Sequence, residues 1–327
     1  MSENDAKPGK FVRPKDLDNA ERTTLGARIQ WRIEALAWDL LYWYPFKALP
    51  IEWASNTGAA ILKALGPLTS QHRTMVRNLH MCFPNWSEEQ IKDVAKGTWA
   101  TLGHTVGEMP HLAKLVPGGK KPRLELQGLE VVDAIKASGK PVVFISGHFA
   151  NWEPITSAIS TNLPDALITY RAANNPHIDR RIAKARQSYT DQLAPKGAGT
   201  RELMRALARG QSVGLMNDQK FNQGIAVPFF GYEAMTAPGP TRLAMRYKTR
   251  IAPISCVRVG PARYRLTFHE PFAPDSDTDE DKAIYKTVLR INRFVEDRIR
   301  EHPDQWFWMH HRWPKEAWAK AGAIEKR

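Results

Sequence analysis

From Arg123 onward short apolar runs alternate with helical stretches, and nothing else in the chain limits its fold as strongly. Arg123 to Leu126 alternates with period two, and Leu129 to Ala137 has helical spacing. Pro141-Val142-Val143-Phe144-Ile145-Ser146 is a continuous apolar run of the kind that fills a strand buried on both faces. A helix over 151–160, a strand over 166–170, helices over 178–189 and 200–209, and a strand over 212–217 continue the pattern. A helix over 239–247 then precedes strands over 251–258 and 263–269. Such interleaving predicts an α/β fold with a largely parallel mixed central sheet flanked by helices. Near the end Ile284, Val288, Ile291, Val295 and Ile299 form one face of an amphipathic helix, read as core packing.

The region before Arg123 reads differently. Trp31 to Leu65 is rich in aromatic residues (Trp31, Trp38, Tyr42, Trp43, Tyr44, Phe46, Trp53) and is interrupted by Arg32, Lys47 and Lys63. Trp and Tyr rings suit a lipid headgroup level because one end is apolar and the other polar. The segment reads as a helical hairpin, broken near Pro45 and Pro50, lying in a membrane interface; an aromatic-rich core hairpin is the alternative. Ser87 to Gly107 is expected to be a helix, with Ser87 as its cap and Gln90 completing a capping box. Three regions follow: a disordered tail over 1–24, a helical membrane-associating region over 25–118 packed on the core, and an α/β core over 119–327.

Charge bears on partners. The 47 Lys and Arg exceed the 34 Asp and Glu by 13, which favours polyanionic partners. Between residues 171 and 220 ten basic residues face four acidic ones, a surface suited to an acidic protein or anionic headgroups, or simply a solvated face. Cys82 and Cys256 are the only cysteines and form no CxxC pair, so neither a disulfide framework nor a thiolate zinc site is expected. The longest runs without Asp, Glu, Lys or Arg are 12 residues, short of a membrane span.

The chemistry is expected where strands end and helices begin. His148 follows the apolar strand by one glycine, and Gly147 permits a tight turn or an unusual φ. Glu153 falls in the first turn of the next helix, where its carboxylate can fold back onto one imidazole nitrogen and leave the other free as a base. The plainer reading has His148 capping the strand and Glu153 favoured by the helix dipole. Gly210-Gln211-Ser212-Val213-Gly214 has the letters of a nucleophile elbow, but Ser212 follows a helix and opens a strand, the reverse of an elbow's setting.

The stretch Ile145-Ser146-Gly147-His148-Phe149-Ala150-Asn151-Trp152-Glu153 resembles the His-x4-Asp/Glu signature of the lysophospholipid acyltransferase superfamily, and its Glu form, with Asn151 two residues before the Glu, resembles the lipid A late acyltransferases. Tyr170 to Pro176, Asn217-Asp218-Gln219, and Val227-Pro228-Phe229-Phe230-Gly231 with Thr236 and Gly239 are similar to the family's later blocks. So are Arg77-Asn78-Leu79, Phe83-Pro84 and the closing stretch Glu296 to Trp313, in which Trp306, Trp308 and Trp313 read as packing. Together these blocks cover roughly residues 70 to 313, most of the chain.

The resemblance implies a glycerol-phosphate-acyltransferase-like fold and transfer of a secondary fatty acyl chain from acyl carrier protein to a hydroxyl of a lipid A precursor, at the cytoplasmic side of the cell inner membrane. His148 and Glu153 would be the catalytic pair, with no acyl-enzyme, no metal and no cofactor beyond the acyl-carrier donor. Arg171, Asn151, Asp218 and Gln219 would bind substrate, Arg171 being suited to a phosphate by its planar charged fork. Expected partners are acyl carrier protein, the glycolipid and an anionic membrane surface, without nucleic acid. An acceptor of another glycolipid or aminolipid class is the alternative, and a non-enzymatic basic binding protein a remote one. Family members commonly open with a long apolar helix, whereas Glu34, Asp39, Lys47 and Glu52 stand here, which implies a peripheral or monotopic attachment.

Overall fold

The computed structural model describes residues 24–118, 121–195 and 199–322; the tail expected over 1–24 falls outside them up to residue 23. The alternation after Arg123 becomes strands β1 (Leu124–Gln127), β2 (Val142–Ser146), β3 (Leu167–Tyr170), β4 (Leu193–Pro195), β5 (Val213–Met216), β8 (Arg250–Gly260) and β9 (Arg263–Phe268). They form one sheet in the order β1-β9-β8-β2-β5-β3-β4. Only the β8–β9 pair is antiparallel, so the sheet is mixed and largely parallel. β2 lies near its centre and every residue of it is buried, which is why its sequence is apolar without alternation. Strands β6 (Ile225–Phe229) and β7 (Tyr232–Thr236) form a separate antiparallel hairpin.

Helices cover the sheet. Those after β1 are α6 (Leu129–Ser138), α7 (Glu153–Asn162), α8 (Pro176–Arg186), α9 (Gly199–Ala208), α10 (Gly239–Arg246), α11 (Glu280–Glu301) and α12 (Lys315–Lys320). The stripe from Ile284 to Ile299 is the buried face of α11. Before β1 stand α1 (Leu25–Trp38), α2 (Tyr44–Ala48), α3 (Ile51–Leu65), α4 (Ser70–Cys82) and α5 (Glu88–Glu108). Ser87 and Gln90 make the capping box of α5 as read from sequence. Pro45 does not break the hairpin. It sits in the first turn of α2, where a missing N–H costs nothing, and a π turn over Asp39–Trp43 joins α2 to α1. The break falls at Leu49, held extended by the proline after it.

Glycines set how closely the first helices pack. A Cβ on Gly58 of α3 would lie 2.2 Å from the Gly103 carbonyl oxygen of α5, and one on Gly107 2.2 Å from the oxygen of Ala54. The two backbones therefore touch. α1 is the opposite case: it has no buried residue, and Leu25, Ile29, Ile33 and Leu36, continued by Leu40 in the π turn at steps of four, four, three and four, are all exposed. Trp53, Leu65 and Leu68 add further exposed apolar surface on and after α3. Among the described residues no helix is long and apolar enough to cross a membrane.

Candidate active site

β2 and β5 are parallel neighbours, and their register pairs Ser146 with Met216. His148 and Asp218 each lie two residues beyond those partners, so the two chains leave the sheet side by side. The His148 imidazole donates from Nδ1 to Asp218 Oδ1 at 2.7 Å, and its backbone N–H donates to Oδ2 at 2.7 Å. Trp306 Nε1 donates to the same Oδ2 at 2.7 Å. Asp218 is fully buried, whereas the His148 side chain keeps 21% exposure, so the base faces outward and its acid inward. Burial alone would raise the Asp218 pKa, but the adjoining His148 charge and the hydrogen bonds from His148 outweigh it and hold the carboxyl well below the usual range. The amide of Gln219, half-buried, stands 3.5 Å from the free Nε2.

The loop between β2 and α7 is braced from both sides. Phe149 N–H turns back to the Gly147 oxygen at 2.8 Å and Ala150 N–H donates to the Gln305 oxygen at 2.6 Å. Thr105 of α5 donates to the Ala150 oxygen at 3.1 Å. The unusual φ expected at Gly147 occurs instead at Ala150, which has φ of 45° and is held there by these bonds. Gly147 serves differently: a Cβ there would meet the Phe149 ring at 2.8 Å.

Glu153 does not make the contact with His148 that its spacing suggested. α7 begins at Glu153 and points the carboxylate away from the sheet edge, towards α8. There it accepts from Arg186 Nε at 3.0 Å and Nη2 at 2.6 Å, and from the Tyr189 hydroxyl. Glu153 is buried and Arg186 nearly so; desolvation opposes the Glu153 charge, and Arg186 more than compensates, lowering its pKa. Asn151 also departs from expectation. It has no exposed surface, its amide donates to Glu108 at 3.0 Å, and its oxygen accepts the Glu153 N–H at 3.0 Å, so it is turned into the protein and away from any substrate. Glu108 in turn receives Arg258 at 2.6 Å, Ser55 at 2.7 Å and the Tyr264 hydroxyl, a network tying α3, α5, β8 and β9 to the loop.

Arg171 stands exposed just past β3. Ser212 is a helix-to-strand connection as read, its hydroxyl accepting Val142 N–H at 3.1 Å. Two small crevices lie along β2 and the loop after it, of which the first is lined by His148. One, between Thr101, Leu102, Trp152, Phe307 and Met309, holds about 10 Å³; the other, between Ile155, Ile159, Ile168, Gly214 and Ile254, about 20 Å³. A fatty chain entering either must part the side chains that line it. Sequence reasoning gave Trp306 to packing alone, and its single signal was membership of the closing block.

A carboxylate-oriented imidazole at the carboxyl edge of a largely parallel sheet is a general-base arrangement. Residues 30–315 match the bacterial lipid A biosynthesis acyltransferase family. A lipid A biosynthesis acyltransferase of Haemophilus influenzae is 24% identical over 251 residues, 75% of this chain and 76% of its own. The lipid A biosynthesis myristoyltransferase of Escherichia coli is 24% identical over 242 residues, 73% of this chain and 74% of its own. The lauroyltransferase of the same organism is 24% identical over 302 residues, covering 89% and 90%. The protein is thus an enzyme of the acyltransferase class. It belongs to the bacterial lipid A biosynthesis acyltransferase family.

Proposed function

We propose that this enzyme transfers a fatty acyl group from the thioester of acyl carrier protein to a hydroxyl of a lipid A precursor. The observation that carries the reading is the 2.7 Å contact between His148 Nδ1 and Asp218. Asp218 keeps the Nδ1 proton in place, so Nε2 is the basic nitrogen. As the lipid hydroxyl oxygen attacks the thioester carbonyl, its proton passes to Nε2, a contribution of about 10²- to 10⁴-fold. Collapse of the tetrahedral intermediate breaks the carbon–sulfur bond, and the imidazolium returns the proton to the leaving thiolate. No acyl-enzyme forms. Gln219, beside Nε2, is placed to hold the acceptor hydroxyl or the carbonyl oxygen, and Arg171 to meet a phosphate. Glu153 and Asn151 act as positioning residues for the loop that presents His148.

The enzyme works at the cytoplasmic face of the inner membrane, attached by the exposed apolar stripe of α1 and by Trp53. An exposed stripe on a helix with no buried residue supports this, because hydrocarbon is what such a face lacks in water.

The test is transfer of radiolabelled acyl chains from acyl carrier protein to a purified glycolipid acceptor. His148→Ala is expected to abolish transfer in a protein that still folds, with a lowered thermal midpoint because buried Asp218 loses its imidazole partner, and full activity in that variant would end the assignment. Mass spectrometry of lipids from a deletion strain tests the acceptor. If lipid A is unaltered while another lipid loses one acyl chain, the acceptor proposed is wrong.

A further inference from the structure

Polar contacts tie α1 and the turns after it to α8. The Asn175 amide donates to the Trp31 oxygen at 2.8 Å and to Glu34 at 3.1 Å, and Arg181 pairs with Asp39 and lies over the Tyr44 ring. Between the two helices this leaves a cleft of about 430 Å³. Its walls carry four cations, Arg32, Arg180, Arg181 and Lys184, against one acid, Asp39. Asp39 is already engaged by Arg181. The Arg180 guanidinium bonds the Pro176 oxygen at 3.2 Å and the His177 ring at 2.9 Å, neither of which offsets its charge. His177 is itself held below its ordinary pKa, by burial first and then by the charges of Arg180 and Arg32, so it accepts as a neutral ring.

Like charges fixed around a cavity repel one another unless an anion sits among them. A guanidinium held by its own hydrogen bonds keeps its remaining donors aimed, which suits the several oxygens of a phosphate. The second feature decides what carries that phosphate. Leu36 lines the cleft and also belongs to the exposed stripe of α1, so the cationic cavity opens beside apolar surface. A soluble phosphate needs no such neighbour, whereas a lipid with a phosphate headgroup satisfies both.

We infer that the cleft between α1 and α8 binds the headgroup phosphate of an anionic membrane lipid, with the acyl chains of that lipid running along the α1 stripe. The site is separate from the reacting centre but mechanically close to it. Arg180 precedes Arg186, the partner of Glu153, by six residues, about 9 Å of helical rise. The inference adds a specific headgroup to the membrane attachment proposed above and rests on it.

The experiment is vesicle co-sedimentation of the full chain with phosphatidylcholine alone and with phosphatidylcholine containing phosphatidylglycerol. The wild type is expected to prefer the anionic vesicles. The triple variant Arg32→Gln, Arg180→Gln, Lys184→Gln should lose that preference by about a hundredfold, each cation contributing roughly fivefold, and keep its binding to neutral vesicles. A control that removes three charges elsewhere, Arg201→Gln, Arg205→Gln, Arg209→Gln, should lose far less. Equal losses in the two triple variants would mean that net charge alone is read, and would overturn the site. Calorimetry with glycerol 3-phosphate should give much weaker binding than anionic vesicles do; equal affinity would make the occupant a free phosphate and overturn the lipid. Unchanged vesicle binding with weakened binding of acyl carrier protein would make the cleft a protein-docking patch and also overturn the inference. Arg32→Lys with Arg180→Lys, which keeps the charges but not the guanidinium forks, should lose only part of the preference, and circular dichroism checks that the triple variant is folded. Ile29→Asp with Ile33→Asp tests the membrane attachment by itself: its failure shows as unchanged binding to neutral vesicles, a result the cleft variants do not touch.

Discussion

Asp218 divides its carboxylate, giving Oδ1 to the His148 imidazole and Oδ2 to the Trp306 indole, each at 2.7 Å. The His148 backbone N–H also reaches Oδ2, so the carboxylate is held by three donors and cannot rotate away from the ring. The imidazole is thereby fixed in one tautomer, with Nε2 outermost.

Replacing Asp218 by Asn preserves shape and reverses the logic of the ring. The amide can offer N–H to Nδ1, which moves the ring proton to Nε2 and removes the base. A fall in kcat of about 10⁴-fold is expected, with KM for the acyl donor little changed. Trp306→Phe, which removes one hydrogen bond to a charge, should cost about tenfold or somewhat more. Steady-state kinetics decides, and a wild-type rate in Asp218→Asn would take the residue out of the mechanism.

Glu153→Gln leaves the nearly buried Arg186 guanidinium without a countercharge, and a loss of about 3 kcal/mol in stability is expected. Glu153→Gln combined with Arg186→Met removes both charges and should recover most of that loss. Urea denaturation of the two variants separates this positioning role from a direct part in proton transfer: the double variant should regain folding, and activity in proportion to how well the His148 loop is restored. Failure of the double variant to regain any stability would refute the ion-pair account.

Acid should weaken the fold in two stages. Burial holds His104, His269 and His310 down to about 4. Between pH 6.5 and 4 the unfolded chain therefore binds protons that the folded one refuses, and stability falls as pH falls. Unfolding at pH 5 should take up roughly three protons on account of these rings. Below pH 4 a second loss begins, because Asp218, Glu153 and Glu108 are all depressed in the folded state and their contribution vanishes only as pH drops through those lowered values. Calorimetry across pH 3 to 8 checks both stages; a midpoint flat between 6.5 and 4 would contradict the first.

Gly103→Ala puts a methyl group where the Gly58 oxygen would be 2.3 Å away. α3 and α5 must then separate, with an expected cost of about 1 to 3 kcal/mol. Ala at the surface-exposed Gly139 is no proper comparison, since its φ of 60° adds strain of its own. Gly26, exposed in α1 with open space around it, is the fitting control and should tolerate Ala without loss. A Gly103→Ala protein as stable as the wild type would show that the contact is looser than drawn.

The order of elements was legible because its signal is local: an all-buried strand such as β2 announces itself by unbroken apolar residues, and α5 by its capping box. What joined His148 to Asp218 was not. Both were singled out, each just past a strand, but their meeting depends on β5 lying beside β2 with Ser146 opposite Met216, a matter of strand order. Glu153 misled for a related reason. Five residues fix a distance but not a direction, and the positive φ at Ala150 together with a helix starting at Glu153 sends the carboxylate to a partner 33 residues away. The β6–β7 hairpin was hidden because Pro228 interrupts its first strand and Phe230, with φ of 53°, fills a turn position usually marked by Asn or Asp.

The strap that Trp306 lays across Asp218 comes from 88 residues beyond the group it secures. A nascent polypeptide can bring up the imidazole and then its acid long before the indole has left the ribosome. Full catalytic competence therefore waits for the segment that carries Trp306, and a chain interrupted ahead of it lacks the indole that pins Asp218.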